Sequence, residues 1–205
     1  MAARKRWGAA LGGVLVCAAL GLGAAWYLGM PAGPDVILIS IDSLRPDHLG
    51  CYGYGRATSP VIDGLAREGV LFEAATSSTT WTLPAHAALF TGLPDSVHGC
   101  TGTNRRLAAE RTTLAERFRA AGYRTAGFFA GPLLHPAFGF AQGFDDYVDC
   151  TSYPERSQGL EPGGEPHALH YLSHQDVTNA KVHEALRAWL ARNRGGPRFL
   201  FIHLL

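Results

Sequence analysis

Apolar stretches and segments of helical spacing alternate along the chain from Val36 onward. The first stretch, Val36–Ile41, is rich in branched apolar residues and does not alternate with polar ones, which predicts a strand covered on both faces, as at the centre of a parallel sheet. Further strands are predicted over 70–75, 123–130 and 198–205, and helices over 59–69, 83–90, 112–121 and 173–194. This order predicts a layered α/β domain with a mainly parallel sheet.

Two polar residues stand out against this pattern. In open parallel sheets, ligands bind beyond the carboxyl ends of the strands. Asp42 follows the first predicted strand directly, and Thr82 stands, together with Pro84, at the start of a helical pattern. The sequence therefore predicts one site that combines a carboxylate at the end of a strand with a nucleophile at the start of a helix.

Length and charge limit what such a site can belong to. The chain has 205 residues and a formal net charge of +1, which fits one globular domain. A nucleic-acid-binding domain usually carries a strongly basic surface, so this balance favours no nucleic-acid partner.

The N-terminus has the pattern of an export signal. Three basic residues, Arg4, Lys5 and Arg6, precede an uncharged apolar run over 7–30, which is long enough to cross a bilayer core of about 30 Å. An uncleaved signal anchor fits this length, and a signal peptide cleaved near Ala24-Ala25-Trp26 is the alternative. By the positive-inside rule the rest of the chain is extracytoplasmic, on the periplasmic or extracellular face, and it is secreted if the segment is cleaved.

The predicted organisation is a signal segment over 1–30, a linker over 31–35 and a globular part over 36–205. In an oxidising compartment Cys51, Cys100 and Cys150 can supply one disulfide, and small buried hydrophobic residues are the alternative. The last seven residues form an apolar strand with no polar tail. We therefore expect the chain to be the N-terminal portion of a larger protein.

Four motifs resemble the sulfatase family of the alkaline-phosphatase superfamily. They are ILISIDSLRPDHLGCYGY (37–54), TSPVIDGLAREGVLFEAA (58–75), WTLPAHAALFTG (81–92) and FGFAQGFDDY (138–147). FLFIHLL at 199–205 resembles the strand that runs into an Asp-Pro-His loop in the family. The resemblance implies a sulfatase-like fold that is incomplete at its C-terminus, and a metal-dependent hydrolase of sulfate or phosphate esters.

Asp42 matches the first metal-binding carboxylate of the family. The resemblance implies a divalent metal ion, Ca²⁺, Mg²⁺, Mn²⁺ or Zn²⁺, held by Asp42 and Thr82, since hard cations prefer oxygen ligands. Considered alone, an aspartate that ends a strand is more often a turn or cap residue. Sulfatases commonly have a second aspartate at the next position, where this chain has Ser43, so the implied site has one carboxylate fewer.

Thr82 stands at the nucleophile position of the family signature. That signature begins with Cys or Ser, which is oxidised to formylglycine, and threonine is not expected to undergo this conversion. A threonine hydroxyl can attack phosphorus directly at a helix N-terminus, and related phosphodiesterases and phosphotransferases of the superfamily use threonine. The structural alternative is that Thr82 only caps the helix.

His86 replaces the arginine of the signature and lies one helical turn after Thr82. It is expected either to hydrogen-bond the nucleophile or the substrate anion, or to serve packing or capping. His98 matches a histidine that often follows this helix in the family, with no assigned role. The segment 127–132 lacks the lysine and histidine that contact sulfate and leaving group in the family, and the distal metal ligands have no match in the chain.

These expectations define one main function and two alternatives. The main function is a sulfatase-like hydrolase that acts through Thr82 on sulfate or phosphate esters of an envelope or extracellular glycan or of a lipid headgroup. One alternative is a phosphodiesterase or phosphotransferase of the same superfamily. The other is a truncated, non-catalytic protein anchored in the membrane. The 205-residue chain by itself is expected to bind metal weakly and to be inactive.

Overall fold

Residues 33–102, 106–151 and 179–205 are described by a computed structural model of the chain. Within them, four strands form one sheet: β1 (Val36–Ile41), β2 (Arg124–Phe129), β3 (Asp146–Asp149) and β4 (Arg198–Leu204). Their order across the sheet is β1-β4-β2-β3, and every neighbouring pair is parallel. The predicted α/β class with a parallel sheet is confirmed.

The described ranges contain five α-helices: α1 (Pro60–Glu68), α2 (Thr82–Thr91), α3 (Asp95–His98), α4 (Leu114–Ala120) and α5 (Asn179–Arg192). Short 3₁₀ turns lie at Pro46–His48, Gly50–Tyr52, Pro132–Leu134 and Pro136–Phe138. α4 begins with a capping box, because Thr113 accepts a hydrogen bond from the Glu116 amide and Glu116 accepts one from the Thr113 amide. α3 and β3 were not predicted from the sequence.

The two faces of the sheet are covered by different helices. Along β4, Phe199 and Phe201 face a core that includes Leu83 and Phe90 of α2. Leu200 and Ile202 point the opposite way, into a second core with Val182 and Trp189 of α5. This alternation follows from the two-residue period of a strand, and it gives a layered fold with residues 199–203 of β4 buried between the layers.

β1 lies at an edge of the described sheet, so the prediction that it is covered on both faces at the centre is wrong for this structure. Val36 and Leu38 pack on the core that contains α2, whereas Ile37 and Ile39 are 55% and 54% exposed. The reason is that α5 packs on β2 and β4 and does not extend over β1. β4, paired on both sides, has the central position.

The predicted strand over 70–75 is also absent from the structure. Val70 and Phe72 are largely exposed, and no strand in the described ranges lies beside this segment to form a ladder. A short apolar run by itself does not make a strand, because the main-chain groups need a partner. The helix predicted over 59–69 forms as α1, with Pro60 in its first turn.

The export signal predicted over 1–30 lies outside the described residues. Among the helices that the structure describes, none is sufficiently long and apolar for a membrane crossing. Cys51, Cys100 and Cys150 are present as thiols. Cys100 and Cys150 are buried in the two cores, which agrees with the alternative that they serve as small apolar residues.

Gly143 offers a direct test of how closely the loop before β3 packs against α4. Its φ is +90°, and a Cβ added there would lie 2.4 Å from the Glu116 amide nitrogen in α4. We expect Gly143→Ala to lower the free energy of unfolding by about 3 kcal/mol, because neither the left-handed backbone nor the close approach tolerates a side chain. Urea denaturation measures the loss. Gly195→Ala is the matched control, since its Cβ would meet no atom within 4 Å; equal midpoints for the two variants would contradict the packing described here.

Candidate active site

Parallel pairing of β1 with β4 brings three polar side chains to one edge of the sheet. Ser40 is the register partner of His203, and the Asp42 amide donates to the Leu204 carbonyl at 2.9 Å. Both strands end at this point, so Asp42 and His203 lie at the carboxyl edge, where ligands bind in parallel sheets.

The Asp42 carboxylate is the centre of a hydrogen-bonded cluster. Its Oδ2 accepts from the Thr82 hydroxyl at 2.8 Å and lies 3.3 Å from His203 Nε2. Its Oδ1 accepts from the Ser43 hydroxyl at 3.0 Å. The bond from His203, followed by those from Thr82 and Ser43, holds the pKa of Asp42 far below its usual range and outweighs the opposing effect of burial. Asp42 is therefore ionised throughout the neutral range.

Thr82 is the first residue of α2, and it does not cap the helix. The cap position is Trp81, and no side chain there satisfies the helix amides. The Thr82 hydroxyl is directed to Asp42 instead, so the capping alternative does not describe this residue. The first turn of a helix carries unsatisfied N–H groups and partial positive charge, which places the hydroxyl beside a region that favours anions.

His86 connects α2 to β1. Its Nδ1 lies 2.7 Å from the Thr82 carbonyl oxygen and its Nε2 lies 2.9 Å from the Ser40 hydroxyl. A carbonyl only accepts, so Nδ1 carries the hydrogen, and in the neutral ring Nε2 accepts from Ser40. Burial, followed by the nearby His203, lowers the pKa of His86 to about 4. His86 therefore contacts the main chain of Thr82 and not its hydroxyl, which agrees with the packing alternative.

His203 completes the cluster, although the sequence analysis assigned it no role in the site. Its side chain is 1% exposed, and its ring meets that of His86 edge-on with the centroids 5.2 Å apart. It follows Phe201 on the same face of β4, towards α2. In the sequence, the two-residue spacing from Phe201 at the end of an apolar strand indicates which face of the sheet His203 occupies. Only the register with β1 shows that its ring reaches Asp42.

The remaining predicted positions divide between the site and the rest of the fold. Gly131 and Pro132, in the segment that departs from the family pattern, line a narrow cavity together with Asp42, Thr82 and His203. Ser40 and His86 line a second, open cleft of about 600 Å³. His98 is buried with its ring nitrogens near the Asp95 carboxylate and the Cys100 amide, so it stabilises the turn after α3.

The described residues supply only part of a metal site. Asp42 and Thr82 are oxygen donors of the kind that hard divalent cations prefer. Within the described ranges, however, no three His, Cys, Asp or Glu side chains lie close enough to hold an ion together. These two residues fit one side of a coordination sphere and do not complete it.

A parallel α/β fold that brings a carboxylate and a helix-start hydroxyl to the carboxyl edge of its sheet has the layout of a ligand-binding α/β enzyme. The family model for sulfatases matches residues 34–205, and the chain belongs to the sulfatase family, within the alkaline-phosphatase-like superfamily. Homologues in this family are ester hydrolases.

Two curated relatives and one solved structure illustrate the similarity. The chain is 38% identical over 92 residues to N-acetylgalactosamine-6-sulfatase from Canis lupus familiaris, covering 45% of this chain and 17% of the relative. It is 32% identical over 123 residues to iduronate 2-sulfatase from Mus musculus, covering 58% and 22%. The fold matches the phosphonate monoester hydrolase of Agrobacterium radiobacter with a TM-score of 0.60 at 24% identity, covering 84% and 41%. The chain thus spans about a fifth of these curated relatives.

The depressed pKa of His86 predicts a loss of stability in acid. The unfolded histidine titrates near pH 6.5 and the folded one near pH 4, so the unfolded state binds more protons between these values. We expect the free energy of unfolding to fall by up to about 3 kcal/mol as the pH drops through this window. Urea midpoints at pH 7 and pH 4.5 measure the fall, and His86→Gln should reduce it. Equal pH dependence in the variant and the parent would show that His86 is not responsible.

Proposed function

We propose that this chain forms the nucleophile-bearing part of a hydrolase that cleaves sulfate or phosphate esters, with Thr82 as the nucleophile. The observation that carries the proposal is the 2.8 Å hydrogen bond from the Thr82 hydroxyl to Asp42 Oδ2. It holds the only side-chain oxygen of Thr82 at the carboxyl edge of the sheet and at the start of α2. Family membership supports ester hydrolysis as the reaction class.

In this mechanism Thr82 Oγ attacks the sulfur or phosphorus atom in line with the leaving alcohol. A bond forms between Oγ and that atom as the bond to the alcohol oxygen breaks, and the proton that the Thr82 hydroxyl loses is taken up by the departing alcohol. Water, or an acceptor alcohol, then resolves the covalent threonine ester. The main-chain N–H groups in the first turn of α2 stabilise the negative charge of the transferred group.

Asp42 orients the hydroxyl and does not act as a strong general base. Its pKa lies far below the neutral range, so a proton transferred to it would not be retained. We infer that Asp42 and Thr82 also hold a divalent cation, together with ligands outside the described residues. When bound, such an ion supplies positive charge close to the transferred group.

The bond that is cleaved distinguishes two candidate functions. The names of the curated relatives specify sulfate esters of N-acetylgalactosamine and iduronate, which supports a sulfated glycan as the substrate. Threonine at the nucleophile position instead supports phosphoryl transfer, since formylglycine chemistry is not expected from it. A phosphonate monoester hydrolase shares the fold. The substrate class, the membrane anchor and the extracytoplasmic location stay predictions, and cell fractionation of the tagged protein tests the last two.

Substitution of Thr82 tests the nucleophile. In the natural protein that contains this sequence, we expect Thr82→Ala to lower kcat by at least about 1,000-fold, because the attacking oxygen is removed, and Thr82→Ser to retain measurable turnover. Initial rates with 4-nitrophenyl sulfate and bis(4-nitrophenyl) phosphate report which ester is cleaved. Thr91→Ala is the control, since Thr91 lies in the last turn of the same helix and its hydroxyl bonds only within that helix and to the residues that follow it.

The two substrates separate the two candidate functions. Turnover of the sulfate ester but not of the phosphate diester supports the sulfatase, and the reverse result supports the phosphodiesterase. Activity that persists in Thr82→Ala at the parent level would refute the nucleophile assignment for either reaction.

Removal of metal tests the role of Asp42. We expect EDTA followed by dialysis to abolish turnover, and one of Ca²⁺, Mg²⁺, Mn²⁺ or Zn²⁺ to restore it. Asp42→Asn should raise the metal concentration needed for half-maximal recovery by at least about tenfold, because a neutral amide binds a hard cation more weakly than a carboxylate. Asp35→Asn is the control, because Asp35 lies just before the opposite end of β1 and pairs with Arg198. Full activity after EDTA treatment would contradict metal dependence.

A further inference from the structure

His203 is a buried polar residue for which the proposed mechanism has no use. It is 1% exposed, and its Nδ1 has no hydrogen-bond partner among the described residues. Burial of a polar atom without a partner costs stability, and a phenylalanine or leucine of similar size at this position would avoid that cost. Packing alone therefore does not explain a histidine at this position.

The other ring nitrogen of His203 contacts the centre of the site. Nε2 lies 3.3 Å from Asp42 Oδ2, and an ionised carboxylate only accepts, so Nε2–H is the donor. The same Oδ2 accepts from the Thr82 hydroxyl. A single carboxylate oxygen thus receives two hydrogen bonds, one from β4 and one from α2, and the direction of the first constrains the geometry of the second.

The surroundings of His203 hold its ring in one orientation. The ring of His86 contacts it edge-on, and the ring of Phe201 lies nearly parallel to it with centroids 6.5 Å apart. On the side of Gly131, an added Cβ would lie 3.8 Å from His203 Cε1. Because neighbours surround the ring, its Nε2–H has a fixed direction toward Asp42.

We infer that His203 is a positioning residue, which through Nε2–H holds Asp42 in the orientation that directs the Thr82 hydroxyl. Apart from Thr82, whose hydroxyl it directs, and His203, Asp42 is bonded by the side chain of Ser43, whose hydroxyl donates to Oδ1, and Ser43 lies in an exposed loop. His203 is therefore the buried, rigid support of the carboxylate. The inference rests on the proposed role of Thr82, and it predicts that loss of the Nε2–H donor lowers kcat without loosening the fold.

Three substitutions at His203 separate the hydrogen bond from packing. His203→Phe and His203→Leu fill the space without a donor, and His203→Gln keeps a donor near the Nε2 position. For the natural protein assayed with 4-nitrophenyl sulfate and bis(4-nitrophenyl) phosphate, we expect the Phe and Leu variants to lose roughly 10- to 100-fold in kcat, with KM within about twofold of the parent. His203→Gln should recover most of that loss. The urea midpoints of the Phe and Leu variants should equal or exceed that of the parent, because the unpaired Nδ1 is removed.

His98→Phe is the matched control for these variants. His98 is also a buried histidine, but the structure places hydrogen-bond partners at both of its ring nitrogens. Its replacement should lower the urea midpoint and leave kcat unchanged, which is the reverse of the result expected at His203. A His203→Phe or His203→Leu protein that loses stability as His98→Phe does, while kcat stays at the parent level, would overturn the inference.

Crystal structures of the variants supply a readout that does not depend on turnover. We expect the distance between Asp42 Oδ2 and Thr82 Oγ1 to exceed hydrogen-bonding range in His203→Phe and to stay near 2.8 Å in His203→Gln. An unchanged distance in His203→Phe would overturn the positioning role. Full turnover in Thr82→Ala would instead refute the proposed nucleophile, so the two failures are distinguishable.

Discussion

The parallel pairing of β1 with β4 is the constraint on which the candidate site depends. Ser40 and His203 are opposite each other in the register, and the Asp42 amide is bonded to Leu204 immediately beyond them. A shift of one residue would turn His203 to the other face of the sheet, away from α2. Phe199 and Phe201, which pack against the core beneath α2, fix that register, so the apolar core determines the position of the polar cluster.

Burial and hydrogen bonding have opposite consequences for the ionisable groups of this cluster. Asp42 keeps its charge because three side-chain donors offset its partial burial. His86 loses its charge because its burial outweighs the bond to the Thr82 carbonyl. The result is one fixed negative charge beside a neutral ring that connects Ser40 to α2. Such an arrangement keeps Thr82 hydrogen-bonded to a carboxylate that does not take up protons at neutral pH.

The sequence predicts the parts of the site that depend on local pattern, and it fails where distant segments must pair. Asp42 and Thr82 are predictable because one ends an apolar strand and the other begins a helical pattern. The role of His203 is not, since it depends on a register between segments more than 160 residues apart in sequence. The predictions of a central β1 and of a strand over 70–75 are wrong for the same reason. Strand composition is local, but the identity of the neighbouring strand is not.

The position of Thr82 in α2 bears on the proposal that a threonine acts as the nucleophile here without the chemistry expected of formylglycine. A threonine at the cap position would direct its hydroxyl oxygen to a helix amide. At the first helical position, with Trp81 as the cap, the hydroxyl bonds across to Asp42. The carboxylate orients the hydroxyl proton, and a lone pair of Oγ stays available for attack. One residue of displacement along the helix thus separates a capping threonine from one whose hydroxyl is placed as the proposed mechanism requires.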